Sequence, residues 1–221
     1  MFRSTAIRRM RDVTRPWDEG RTHIQLRDLP RSALPTDLRR LCIREQLLGV
    51  TDVTIDYHRF RPTGRAYLTL AHTDQLYKNL QALEKSSVAS LPIRAFSSPP
   101  PQSNPGRLHR TVPQGQVLTG NGPHGGIRSR MKHVVIWGFP GKMSERAVEN
   151  YLQDFRLDNV KDQSEAVQVM LPTTTFSLYS RYLVRPVSTS EAHRLVRQLH
   201  MSYYEPEHWR KRYQLRARVV Y

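Results

Sequence analysis

In Gly64-Arg65-Ala66-Tyr67-Leu68-Thr69-Leu70, an arginine, a tyrosine and a threonine stand two residues apart, with small and apolar residues between them. That is the period of a strand with Ala66, Leu68 and Leu70 on a core and Arg65, Tyr67 and Thr69 turned outward. A ring at the centre of an open sheet face, with a guanidinium beside it, is suited to one chemistry above others: it stacks a flat base. A looser twin, Tyr179-Ser180-Arg181-Tyr182-Leu183-Val184-Arg185, is expected to present Ser180, Tyr182 and Val184 in the same way.

The elements that must hold these stretches recur in one order. His23 to Leu29 alternates as a strand, with Ile24 and Leu26 on one side and Gln25 and Arg27 on the other. Pro35 and Thr36 open a helix in which Leu34, Leu38, Leu41, Cys42 and Leu48 share a face. Val53, Ile55 and Tyr57 mark a second strand, the loop His58 to Thr63 leads into the third, Thr73 begins a second helix, and Ser90 to Phe96 closes the unit. Pro92 would confine that last strand to an edge. The second half repeats the order. His133 to Phe139 is a strand, Ser144 starts a helix, Ala166 to Met170 and Phe176 to Val184 are strands, Thr189 or Ser190 caps a helix, and Tyr213 to Tyr221 is the closing strand.

Between the halves, residues 97–131 lose all periodicity and are rich in proline, glycine and serine, so they read as a flexible linker. Its Arg107, Arg110, Arg128 and Arg130, with no acid among them, also suit a phosphate backbone. Residues 1–20 form a separate segment in which Arg3, Arg8, Arg9 and Arg11 accompany Phe2, Ala6 and Met10 near helical spacing. That composition suits a mitochondrial presequence or, alternatively, a basic arm on phosphate. Over the whole chain 35 basic side chains face 19 acidic ones, a net +16 spread along its length, which favours a polyanionic partner. The lone Cys42 excludes an intrachain disulfide and a cysteine-based zinc site. No apolar run approaches the roughly 18 residues needed to cross a bilayer.

Catalytic patterns are missing from the sequence. There is no glycine-rich phosphate loop before a helix, no serine elbow, no HExxH and no metal-ligand spacing among the nine histidines. Tyr203 to Arg212 mixes rings with cations, as a nucleic-acid loop or as packing against a sheet edge, and Arg39, Arg40 and Arg44 read as a solvated helix side.

Both halves, residues 21–96 and 132–221, resemble the RNA recognition motif (RRM). The resemblance implies an α+β fold: two ferredoxin-like βαββαβ units, each a four-stranded antiparallel sheet backed by two helices. Ile24-Gln25-Leu26-Arg27-Asp28-Leu29 matches the family's first-strand hexamer with Gln25 in the aromatic place. Thr63 to Leu70 matches its octamer, with Arg65 in the first ring position and Tyr67 in the second. In the second half Val135 takes the hexamer's aromatic place, Trp137 is an added outward ring, and Ser180 and Tyr182 take the octamer's places. The resemblance implies a non-catalytic RNA-binding protein without cofactor or metal. Its single-stranded RNA would contact Gln25, Arg27, Arg65, Tyr67 and Thr69 in the first half, and Val135, Trp137, Ser180, Tyr182, Arg216 and Arg218 in the second. The alternative it leaves open is a protein-docking or ribosome-associated scaffold whose sheets bind polypeptide. The arginine-rich start favours a mitochondrial location over a nuclear one.

Overall fold

The structure, a computed structural model, describes residues 20–101, 120–127, 130–158, 164–169 and 177–221. Expectations for residues 1–19, for 102–119 and 128–129 of the linker, and for the strand ends Met170 and Phe176 fall outside those residues.

The first half contains β1 (His23–Arg27), α1 (Pro35–Arg44), β2 (Val50–His58), β3 (Arg61–Leu70) and α2 (Leu76–Leu83). A short hairpin of β4 (Ser87–Val88) and β5 (Leu91–Pro92) precedes β6 (Arg94–Ser98), and β7 (Gly122–Pro123) follows from the linker. The sheet runs β6-β1-β3-β2-β7 with every pair antiparallel. Ile24, Leu26, Val53, Ile55, Ala66 and Leu68 face Leu38, Leu41, Leu76 and Leu83 of the helices in one buried cluster, each large side chain contributing about 1.5–3 kcal/mol by leaving water. Pro35 sits at the first turn of α1, where its missing N–H is not needed, and Asp37 Oδ2 accepts from Leu34 N at 2.9 Å.

The closing strand lies further along than the pattern predicts. Pro92 has no N–H to give a ladder. Leu91 and Pro92 instead pair with Val88 and Ser87, and pairing with β1 begins only at Arg94.

The second half contains β8 (His133–Pro140), α3 (Glu145–Tyr151), β9 (Ala166–Gln168), β10 (Tyr179–Val184), α4 (Thr189–Leu199), the single turn α5 (Pro206–Trp209) and β11 (Arg216–Val220). Its sheet order, β11-β8-β10-β9, repeats that of the first four-strand set: last, first, third, second. Ser144 caps α3 by accepting from Ala147 N at 3.3 Å, and Ser188, one residue before the expected cap, does the same for α4 through Glu191 N at 3.2 Å. Each half is therefore a ferredoxin-like βαββαβ unit, with its helices on one face of an antiparallel sheet.

The expected six-residue loop between β2 and β3 is a two-residue turn. His58 pairs with Arg61, and Arg59 and Phe60 both take left-handed φ values, 51° and 59°. This tight hairpin geometry prefers Asn-Gly, and a side chain in each place costs about 1–2 kcal/mol. Burial of Phe60, 1% exposed, offsets that strain. Its N–H donates to Gly120 O at 2.8 Å, and a Cβ built on Gly120 or Gly125 would stand 2.4 or 2.8 Å from its ring. The end of the linker thus forms a cradle only glycine permits, and Gly122–Pro123 extends the first sheet beyond β2. Residues 120–127 are accordingly structured, where composition alone predicts a flexible connection through residue 131.

The cradle also fastens the two halves together. Tyr57, Phe60, Val135, Val169, Leu183 and Val220 belong to one apolar cluster that spans both. Tyr221 N donates to Tyr57 Oη at 3.1 Å, Arg181 Nη1 donates to Arg59 O at 2.7 Å, and Arg130 makes a two-pronged ion pair with Asp52 at 2.7 Å. Among the described residues no helix is long and apolar enough to cross a membrane.

Candidate nucleic-acid interface

Strand register decides which side chains share the uncovered face of the first sheet. Gln25 is opposite Tyr67 on one side and Phe96 on the other, and Arg27 is opposite Arg94. Directly opposed residues project to the same side. Tyr67, Gln25 and Phe96 therefore form a row across β3, β1 and β6, with Arg27 next to it. Gln25 Nε2 donates to Tyr67 Oη at 2.9 Å, Arg27 Nε donates to Gln25 Oε1 at 2.7 Å, and the Arg27 guanidinium lies 4.7 Å from the Phe96 ring centroid. Gln25 is buried beneath these neighbours, Tyr67 and Thr69 are half-buried, and Arg27 and Arg65 are exposed.

Phe96 is the residue that sequence reasoning missed. It is 40% exposed and supplies a second ring to a face that the hexamer and octamer alone leave with one. Its signal was the alternation of Arg94, Phe96 and Ser98 with Ile93, Ala95 and Ser97, which Pro92 and the short hairpin obscured.

Two acids border this face. Arg94 pairs with Asp28 and holds its carboxyl below the usual carboxylate range, so that acid is neutralised in place. Burial pushes Asp56 upward, against the opposing effect of its hydrogen bond from Thr63 Oγ1 at 2.9 Å. The face as a whole combines rings, amide and cations, the complement of a stacked, phosphate-bearing strand.

The second sheet departs from expectation. Ser180, Tyr182 and Val184 do not face outward. Tyr182 is 0% exposed, its hydroxyl donates to Met143 O, and its ring meets Phe139 edge-on at 5.7 Å. Ser180 Oγ donates to Pro140 O at 2.7 Å from an equally buried position. The reason is register. Tyr182 pairs with Ile136 and Val184 with Val134, and all four point at the helices, whereas Arg181 pairs with Trp137 and Leu183 with Val135 on the other side. An apolar tyrosine with a carbonyl in reach belongs to the core, so neither Ser180 nor Tyr182 is available to a base.

Val135 does lie on the expected face, but it is buried in the cluster that joins the two halves, along with Leu183 and Val220. This removes it from any external ligand as well. Trp137 is half-buried with the Arg61 guanidinium 5.8 Å from its ring centroid, while Arg216 and Arg218 are exposed, the latter donating to Arg31 O at 3.4 Å. Of the Tyr203 to Arg212 segment, Tyr204 packs into the core against Phe139 and Tyr151, and Trp209 stays at the surface in contact with Tyr213. Among the described residues no group of three or more His, Cys, Asp or Glu side chains has the arrangement of a metal site.

No protein-family model matches the chain, and no curated protein matches it in sequence. Among solved structures it is similar to the Sxl-lethal protein–RNA complex at 12% identity, over 90% of this chain and 99% of that one, with a TM-score of 0.31. The N-terminal three RNA binding domains of a yeast splicing factor are similar at 14% identity, over 90% of this chain and 63% of that one, with a TM-score of 0.29. The C. elegans NONO-1 homodimer is similar at 11% identity, over 91% and 62%, with a TM-score of 0.32. Likeness at this level adds nothing to the assignment, which stands on the chain's own strand order and register: two RRM-like βαββαβ units, one with an open sheet face and one whose face is largely covered.

Proposed function

We propose that the protein is a non-catalytic binder of single-stranded RNA, a degenerate member of the RRM class that grips its ligand on the first sheet. The observation that carries this reading is the row Tyr67, Gln25 and Phe96 with Arg27 over the phenyl ring, on a sheet face where Arg27, Arg65 and Phe96 are exposed and Tyr67 is half-buried. Two rings give two stacking platforms, each contributing about 1–3 kcal/mol per base. Arg65 and Arg27 add the salt-dependent attraction to phosphate. The second sheet serves chiefly to hold the first half in place, because its apolar face is spent on the β2–β3 hairpin.

The test is Tyr67→Ala together with Phe96→Ala in the full chain, titrated with a short mixed-sequence oligoribonucleotide at moderate salt. The expected loss is about tenfold or more, the equivalent of about 1.4 kcal/mol at least. Unchanged affinity would rule out this face. We further propose a mitochondrial site of action, on the composition of the arginine-rich N-terminal segment. A reporter fused after residue 20 that stays cytosolic would contradict it.

A further inference from the structure

The hairpin that covers the second sheet leaves a group of cations at its border. Arg59 and Arg61 come from the hairpin, Arg181 from β10 and Arg216 from β11. Trp137 is opposite both Arg181 and Arg216, so these three side chains share one face, and Arg61 approaches the same ring. Among the described residues no carboxylate forms an ion pair with Arg59, Arg61, Arg181 or Arg216. Arg181 is the centre of the group. One of its terminal nitrogens donates to Arg59 O at 2.7 Å, but its Nε is buried without a hydrogen-bond partner.

A buried donor with no acceptor is unfavourable by the full loss of its hydration, and native structures rarely leave one without a reason. Here the like charges compound it. Burial first, and then Arg61 and Arg59, hold the Arg181 guanidinium down at about 10, well below the ordinary arginine range. An anion at the exposed border of the group would offset the repulsion among these like charges. Guanidinium groups suit phosphate oxygens, and the indole of Trp137, with Arg61 5.8 Å from its ring centroid, gives the attached nucleoside a surface to lie against.

We infer that the junction between the halves is a phosphate-binding site for the same RNA strand, with Arg181, Arg61 and Arg59 as the phosphate donors and Trp137 and Arg216 flanking them. The inference deepens the RNA-binding reading and rests on it, but not on the first sheet being the place of stacking. It also gives the docking of the two halves a purpose, since the site has residues from both and exists only while they are joined.

The experiment measures oligoribonucleotide affinity against salt for the full chain, for Arg61→Gln, for Arg181→Gln and for the Tyr67→Ala, Phe96→Ala double variant. Arg61→Gln removes an exposed guanidinium without touching the backbone contact that Arg181 makes, so it separates phosphate binding from docking. Each arginine variant is expected to flatten the slope of log affinity on log salt by about 0.7, the value for one phosphate contact on a single strand. The ring variant is expected to lose affinity at unchanged slope. Unchanged slopes in both arginine variants would overturn the inference, whatever the ring variant does. Flattened slopes beside a silent ring variant would keep the junction site and remove the first sheet instead. A second arm adds inorganic pyrophosphate alone and follows the unfolding midpoint. Stabilisation that depends on Arg61, with RNA slopes unaffected, would mean a free phosphate ligand and would overturn the RNA assignment.

Discussion

Gln25 shows how a departure from a motif can be absorbed by its neighbours. It stands where the hexamer that this strand resembles has a ring, and its amide uses both ends, Nε2 donating to Tyr67 Oη and Oε1 accepting from Arg27 Nε. It therefore orients the ring and the cation on either side of it. Gln25→Leu keeps the volume and removes both bonds, at about 1 kcal/mol each. The expected outcome is a several-fold weaker RNA affinity and an unfolding midpoint lower by about 4–8 °C, read by titration and calorimetry. Phe60 is the corresponding residue for docking. Phe60→Ala is expected to destabilise the joined state by about 3–5 kcal/mol, the usual effect of emptying a phenyl site. The readout is a lower first unfolding transition, and Gly120→Ala should act in the same direction by filling the cradle from its other side.

At the scale of elements, legibility tracks how cleanly the two faces of a strand differ in chemistry. In β3 the small and apolar residues fall on one parity and Arg65, Tyr67 and Thr69 on the other, so its facing was readable. In β10 the choice lay between Ser180, Tyr182 and Val184 on one side and Arg181 and Leu183 on the other, and a tyrosine belongs on either face. Only pairing with Ile136 and Val134 resolves it. The β2–β3 turn and β7 were not readable at all, because the residues that make them possible, Phe60 and the glycines at 120 and 125, are about sixty positions apart. The same linker element carries a pH dependence. His124 Nδ1 lies 3.1 Å from Tyr221 O and its Nε2 is buried without a partner. Burial lowers the imidazole below its ordinary 6.5, with Tyr221 O and Asp52 opposing and Arg130 assisting. The unfolded chain then binds the proton more readily, so stability is intact above pH 6.5 and falls as pH drops through the lowered folded value. Amide exchange at Tyr221, corrected for its intrinsic pH dependence, is expected to quicken over that window, and a flat protection factor would contradict it.

For the whole molecule, the surplus of +16 attracts a polyanion without saying where it lands, and the fold does the placing. Two βαββαβ units were legible because one order of elements occurs twice with matching apolar periods. That the two sheets are used differently was not legible, since it depends on a hairpin from one half lying on the face of the other. On the proposed function, the first sheet takes the bases, while the apolar face of the second is occupied by its own chain. Amide and side-chain chemical-shift mapping of the isotope-labelled protein, titrated with a single-stranded oligoribonucleotide, measures it directly. Shifts are predicted at Gln25, Arg27, Tyr67 and Phe96, with Val135, Leu183 and Val220 unmoved. Shifts at those three, with the first sheet silent, would contradict it.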